Sequence, residues 1–204
     1  MEFVITFLLA MLVAFVGFVP PGMINMTALK RSIEANRREA TLFVLGAVSI
    51  ILIQSFIAVT FAKYLAKNPQ IVENLTYAGI VVFLGLAFWF YRQATAKVNM
   101  KEKKINRNSY VAGASMSSMN MLAIPFFLGY STMMEANGWL ETAAPHNFIF
   151  AFGAVAGAFL LFFLYILFAE FIQRRIQFVA RNINYILSGL FLVLAITTIV
   201  NVIW

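Results

Sequence analysis

Cysteine is missing from this chain of 204 residues, and histidine occurs once, as His146. The first absence excludes disulfides, thiol catalysis and cysteine-bound zinc or iron–sulfur centres. The second argues against a histidine metal cluster and against a His-dependent triad with relay partners. Charge is also scarce. Only 11% of the residues are Asp, Glu, Lys or Arg, where a soluble domain carries about 25%. A water-facing surface cannot be built from so few. No charged residue or histidine falls near the middle of a long apolar run, so the intramembrane carboxylate or histidine common in proton-coupled transporters has no counterpart. An H-E-x-x-H motif, paired intramembrane carboxylates and a serine nucleophile with its base are lacking too. We therefore expect neither enzyme activity, nor a cofactor, nor a metal site.

What is present is apolar. Hydrophobic residues make up 62% of the chain, and the mean hydropathy is +0.87. An all-α integral membrane protein is the expected class. The formal net charge of +7 then marks cytoplasmic loops rather than a nucleic-acid partner. The N-terminal run has Glu2 where a signal peptide carries positive charge, and is read as a permanent span.

A crossing needs about 20 mostly apolar residues. Six runs meet this: 3–29, 41–62, 71–91, 110–133, 147–169 and 183–204. Thirteen of the fifteen basic residues fall in three loops. Lys30, Arg31, Arg37 and Arg38 lie in loop 1–2. Arg92, Lys97, Lys101, Lys103, Lys104 and Arg107 lie in loop 3–4. Arg174, Arg175 and Arg181 lie in loop 5–6. The positive-inside rule makes these loops cytoplasmic and puts both termini outside an inner membrane crossed six times. The outer loop 4–5, with Gly138, Trp139 and Pro145, is acidic.

The halves match weakly but in order. Gly46-Ala47-Val48 corresponds to Gly153-Ala154-Val155, Asn74 and Tyr77 to Asn182 and Tyr185, and Leu86-Ala87 to Leu194-Ala195. Three spans per half invert the second half, giving two inverted-topology repeats over 1–94 and 110–204, joined by a basic linker at 95–109.

Two of the five prolines are adjacent, in Pro20-Pro21-Gly22 at membrane depth. Prolines remove donors and glycine admits unusual backbone angles, so span one is expected to break there. Exposed helix ends can bind a ligand: N-termini favour a carboxylate, C-terminal carbonyls a cation. Asn25 follows the break. Span four is its counterpart, with Gly113, Ser117, Asn120 and Ile124 predicted on one helical face and Pro125 as breaker. Asn25 and Asn120 are expected to meet near the pseudo-symmetry axis. Gln54 is the one strongly polar side chain inside span two, and either lines a pathway or bonds between helices. The expected substrate pathway is Pro20, Pro21, Gly22, Asn25, Gln54, Ser117, Asn120 and Pro125. Bonding between helices is the plainer reading of the Ser and Asn residues. Gly153-x-x-x-Gly157 reads as close helix packing.

These features resemble the lysine-exporter (LysE/RhtB-type) translocator family along the whole chain. Its Pro-Gly-Pro in span one is similar to Pro21-Gly22-Met23. Its Asn-Pro-Lys in span four is similar to Asn120-Met121-Leu122, and Ile50-Ile51 stands where the family has Gly-Asp. The resemblance implies export of amino acids or related small polar metabolites by alternating access. The expected partners are a small-molecule substrate and the lipid bilayer, with a homo-oligomer left open. The departures leave cargo and coupling ion open, and keep a second class in view: a non-transporting membrane assembly or interaction subunit on a transporter scaffold.

Overall fold

Every regular element is helical among the residues described by the computed structural model, which are 2–20, 22–66, 108–120, 122–140 and 144–203, with scattered positions between 77 and 92. In chain order the helices are α1 (Glu2–Gly17), α2 (Met23–Glu34), α3 (Arg37–Ala66), α4 (Ser109–Ser118), α5 (Ala123–Ala136), α6 (His146–Leu167) and α7 (Ala169–Ile203). Most of the third apolar run and the linker from 95 to 107 lie outside the described residues.

Local chemistry sets the helix ends. The Asn36 side chain accepts from the Glu39 N–H at 2.9 Å and starts α3. The Asn108 side chain accepts from the Tyr110 N–H at 3.1 Å and starts α4. Each answers a donor that the first helical turn leaves without a partner.

Contacts divide the chain into two compact units, Met1–Lys67 with Asn106–Arg174, and Asn68–Ile105 with Arg175–Trp204. In the first, α1 packs on α6, and α3 packs on α4, α5 and α6. Small residues make this possible. Ala10 and Ala14 of α1, Ala47 and Ala58 of α3, and Ala154 and Ala158 of α6 are all fully buried. A Cβ on Gly153 or Gly157 would strike the carbonyls of Phe7 and Met11 in α1. A Cβ on Gly46 would strike the Tyr110 carbonyl, and one on Gly113 the Phe43 carbonyl. The expected Gly153–Gly157 packing is present, and α3 against α4 repeats it. Leu8, Leu12 and Val16 form an outward stripe on α1, and Phe148 and Phe152 point outward from α6. Helices apolar on both faces belong in lipid.

In the second unit, the Ser188 hydroxyl donates to the Ala87 carbonyl at 2.8 Å. The rings of Tyr91 and Tyr185 meet edge to face at 6.5 Å.

Among the described residues two helices are long and apolar enough to cross a membrane, Arg37–Ala62 and His146–Leu167. A third crossing forms if α4 and α5, bent by 62°, are one span. With its 16 residues, α1 is about 24 Å long, short of a bilayer core of about 30 Å.

The sequence reading needs correcting at two of its basic loops. Lys30 and Arg31 are helical in α2, and Arg37 and Arg38 open α3, so only Ala35 and Asn36 lie between the helices. The stretch holding Arg174, Arg175 and Arg181 is helical rather than a loop, because α6 stops at Leu167 and α7 starts again at Ala169. Residues 169–188 contain neither glycine nor proline, so nothing local interrupts the helix once it restarts.

Candidate functional site

The helix of the first apolar run is broken, as expected: α1 ends at Gly17 and α2 begins at Met23. Beyond Gly17 the Phe18 N–H still reaches the Ala14 carbonyl, and Val19 makes a tighter bond to Val16. Gly22 is extended, and α2 begins after it. Pro21 lies outside the described residues. The carbonyls of Phe18, Val19 and Pro20 are left over, and in an apolar setting each needs a donor. Side chains supply it. The Asn25 amide donates to the Phe18 carbonyl at 2.7 Å and to the Pro20 carbonyl at 3.2 Å. The Tyr165 hydroxyl, on α6, donates to the Val19 carbonyl at 2.9 Å. Asn25 is only 2% exposed. The Phe18 ring sits 5.3 Å from Phe162, 6.2 Å from Phe127 and 6.4 Å from Phe126, so aromatic rings enclose this end of the break.

The second break falls between Ser118 and Ala123. The Asn120 N–H turns back to the Ser117 carbonyl at 3.0 Å. The same carbonyl receives the Gln54 amide from α3 at 3.1 Å. Gln54 is 7% exposed and Ser117 is fully buried, and Gln54 Oε1 and Ser117 Oγ are buried with no hydrogen-bond partner.

Two expectations about span four change. Pro125 does not make the break: it is the third residue of α5, in the first turn, where a missing N–H costs nothing. Nor do Gly113, Ser117, Asn120 and Ile124 share a face, because α4 ends at Ser118 and leaves Asn120 in the bend.

The structure thus joins Gln54 to Ser117, and gathers Asn25, Pro20 and Gly22 at the first break. Asn25 bonds within its own break and not to Asn120. Tyr165, read from sequence as a packing or interface residue, takes part in the site. Its position on the stripe Phe150, Ala154, Ala158, Phe162 signals burial, but not that its hydroxyl would meet a carbonyl 146 residues earlier.

A further cluster joins α2, α3 and α4 at the end carrying the first basic loop. Arg31, 5% exposed, donates through Nη1 to the Ser109 hydroxyl at 2.6 Å, and that hydroxyl donates to Glu39. The guanidinium lies 5.2 Å from the centre of the Phe43 ring. Burial pushes the Arg31 pKa down, and the nearby Glu39 pushes it back up. Beside this cluster the Ser32 hydroxyl reaches the Ile166 carbonyl at 3.1 Å. In sequence Arg31 is only one member of a basic run. At the opposite end of the helices a cleft of about 610 Å³ is lined by Glu2, Thr6, Glu135, Trp139 and His146, among others.

The model of the LysE type translocator family matches residues 15–201. No curated protein and no solved structure matches the chain.

Proposed function

The chain belongs to the LysE type translocator family, and on that premise we propose that it exports amino acids or related small polar metabolites across the cell's inner membrane by alternating access. The observation that carries the reading is the pair of broken helices. Each break frees backbone carbonyls at membrane depth, and each is held by a side chain from a different helix. Such breaks are tolerated where they face protein or a water-filled path.

An inverted repeat of six spans accounts for this bonding. Exchanging span one with four and span two with five turns one set of contacts into the other. Tyr165 of α6 donates to the first break, and Gln54 of α3 donates to the second. Gly153 and Gly157 press α6 on α1, and Gly46 presses α3 on α4. The matched residues Gly46 and Gly153 serve corresponding contacts.

In this reading Pro20, Pro21 and Gly22 open the first hinge, with Asn25 holding it. Gln54, Ser117 and Asn120 line the second, ahead of Pro125. The Ser117 hydroxyl and Gln54 Oε1 are the groups free to meet a substrate ammonium, next to the negative C-terminal end of α4. Cytoplasmic basic loops would put both termini outside. The protein has no catalytic role.

Reconstitution tests this. Proteoliposomes loaded with labelled L-amino acids should release at least one of them faster than empty-vesicle controls. The Ser117→Ala/Asn120→Ala variant should lose most of that flux at unchanged membrane levels. Wild-type flux in that folded double variant would remove these residues from the pathway. One observation favours a second reading, a non-transporting subunit. Ile51, where the family carries an acidic residue, is fully buried in an apolar core. A folded chain that moves nothing yet retains a fixed membrane partner would select it.

A further inference from the structure

Arg31 is a buried cation whose charge is answered only at second hand. Among the described residues no carboxylate lies within 4 Å of it: the one ion pair there joins Lys30 to Glu34. Its link to Glu39 passes through the Ser109 hydroxyl. Its Nε is buried and has no hydrogen-bond partner. A guanidinium out of water ordinarily takes a carboxylate on two parallel N–H bonds. Leaving a charge buried without such a partner is costly. The Phe43 ring faces the cation and offsets part of that cost. The bare Nε–H stays unanswered.

We propose that Arg31 is the carboxylate-recognition residue at the basic mouth of the pathway, an assignment that rests on the transporter reading. The carboxylate of an incoming substrate seats on the edge of the guanidinium that holds the bare Nε. It takes over the charge compensation that Ser109 and Glu39 supply. The Arg31–Ser109–Glu39 chain ties α2, the second half of span one, to α3 and to α4, the first half of span four. Carboxylate binding therefore loosens the contact that holds the two broken spans together at this end. A substrate without a carboxylate cannot replace the link and leaves the mouth closed. Arg31 thereby couples recognition to opening.

The test uses the purified full chain in detergent. Binding is read as thermal stabilisation by L-lysine, L-leucine and L-threonine and by their carboxamides, with counterflow in proteoliposomes alongside. The wild type should bind at least one free amino acid about tenfold or more tightly than its carboxamide, as a charge-assisted bidentate pair requires. Arg31→Gln should bind acid and amide alike. Arg31→Lys keeps the charge without the planar fork and should keep part of the preference. It carries the test if Arg31→Gln does not fold. Glu39→Gln should tighten binding of the free amino acid several-fold, because it removes the competing carboxylate. A merely structural role for Arg31 predicts no such gain. If the wild type transports amino acids but treats acid and amide alike, or if Arg31→Gln keeps the full preference, the carboxylate assignment falls alone. If the wild type neither binds nor moves any of the panel, the transporter reading falls with it.

Discussion

The hydroxyl of Tyr165 donates to the backbone carbonyl of Val19 at 2.9 Å, joining the last turn of α6 to the break between α1 and α2. Tyr165→Phe keeps the ring and removes the donor, leaving the Val19 carbonyl without its partner. Thermal unfolding in detergent should show a loss of about 1–2 kcal/mol. Asn25→Ala should cost more, because two carbonyls lose the same donor group. Equal stability of Tyr165→Phe and wild type would mean that the Val19 carbonyl finds another donor.

Gln54 and Ser117 should separate cleanly on mutation. The bond between them uses the Ser117 backbone carbonyl, not its hydroxyl. Ser117→Ala removes a buried hydroxyl that has no partner, so unfolding measurements should find it neutral or slightly stabilising. Gln54→Leu should destabilise by about 0.5–1.5 kcal/mol, since the Ser117 carbonyl loses one of two donors and keeps the Asn120 N–H. A raised KM in Ser117→Ala without loss of stability would assign the hydroxyl to substrate.

Glycine substitutions should divide by position. Gly157→Ala and Gly113→Ala drive a methyl group into the backbone of the neighbouring helix. Each should cost at least about 1–3 kcal/mol, because the helices must move apart. Gly129→Ala, on α5, meets nothing within 4 Å. It should stabilise by about 0.5–1 kcal/mol through helix propensity. Thermal melts of the three variants side by side check this.

The absence of native cysteine gives a clean background for testing motion. Ser32 touches the backbone of Ile166 at the basic end. In a Ser32→Cys/Ile166→Cys variant, a short thiol-reactive cross-linker should stop transport, and reduction should restore it. Continued flux through the cross-linked protein would show that α2 and α6 need not part at this end.

Much of this protein was legible in its residues alone. The membrane class follows from the deficit of charge, because a chain with so few charges cannot clothe itself for water. The break at Pro20-Pro21-Gly22 follows from missing N–H donors and glycine's freedom, both local properties. The packing role of Gly153 and Gly157 follows from their spacing. Pro125 misled, because a proline breaks a helix interior but suits its first turn, and which of these applies depends on where the helix starts. The helical path through Arg174 to Arg181 was hidden for a related reason. Basic residues locate a loop in a hydropathy pattern, but they also form helix readily.

Tertiary structure alone decided who partners whom. That Asn25 turns back on its own break, that Gln54 reaches Ser117, and that Arg31 meets Glu39 only through Ser109 depend on which helices lie side by side. Hydrogen bonds across 70 or 146 residues leave no periodicity behind. Sequence determines where the backbone must leave carbonyls without partners. Only the fold determines which distant side chain supplies the proton.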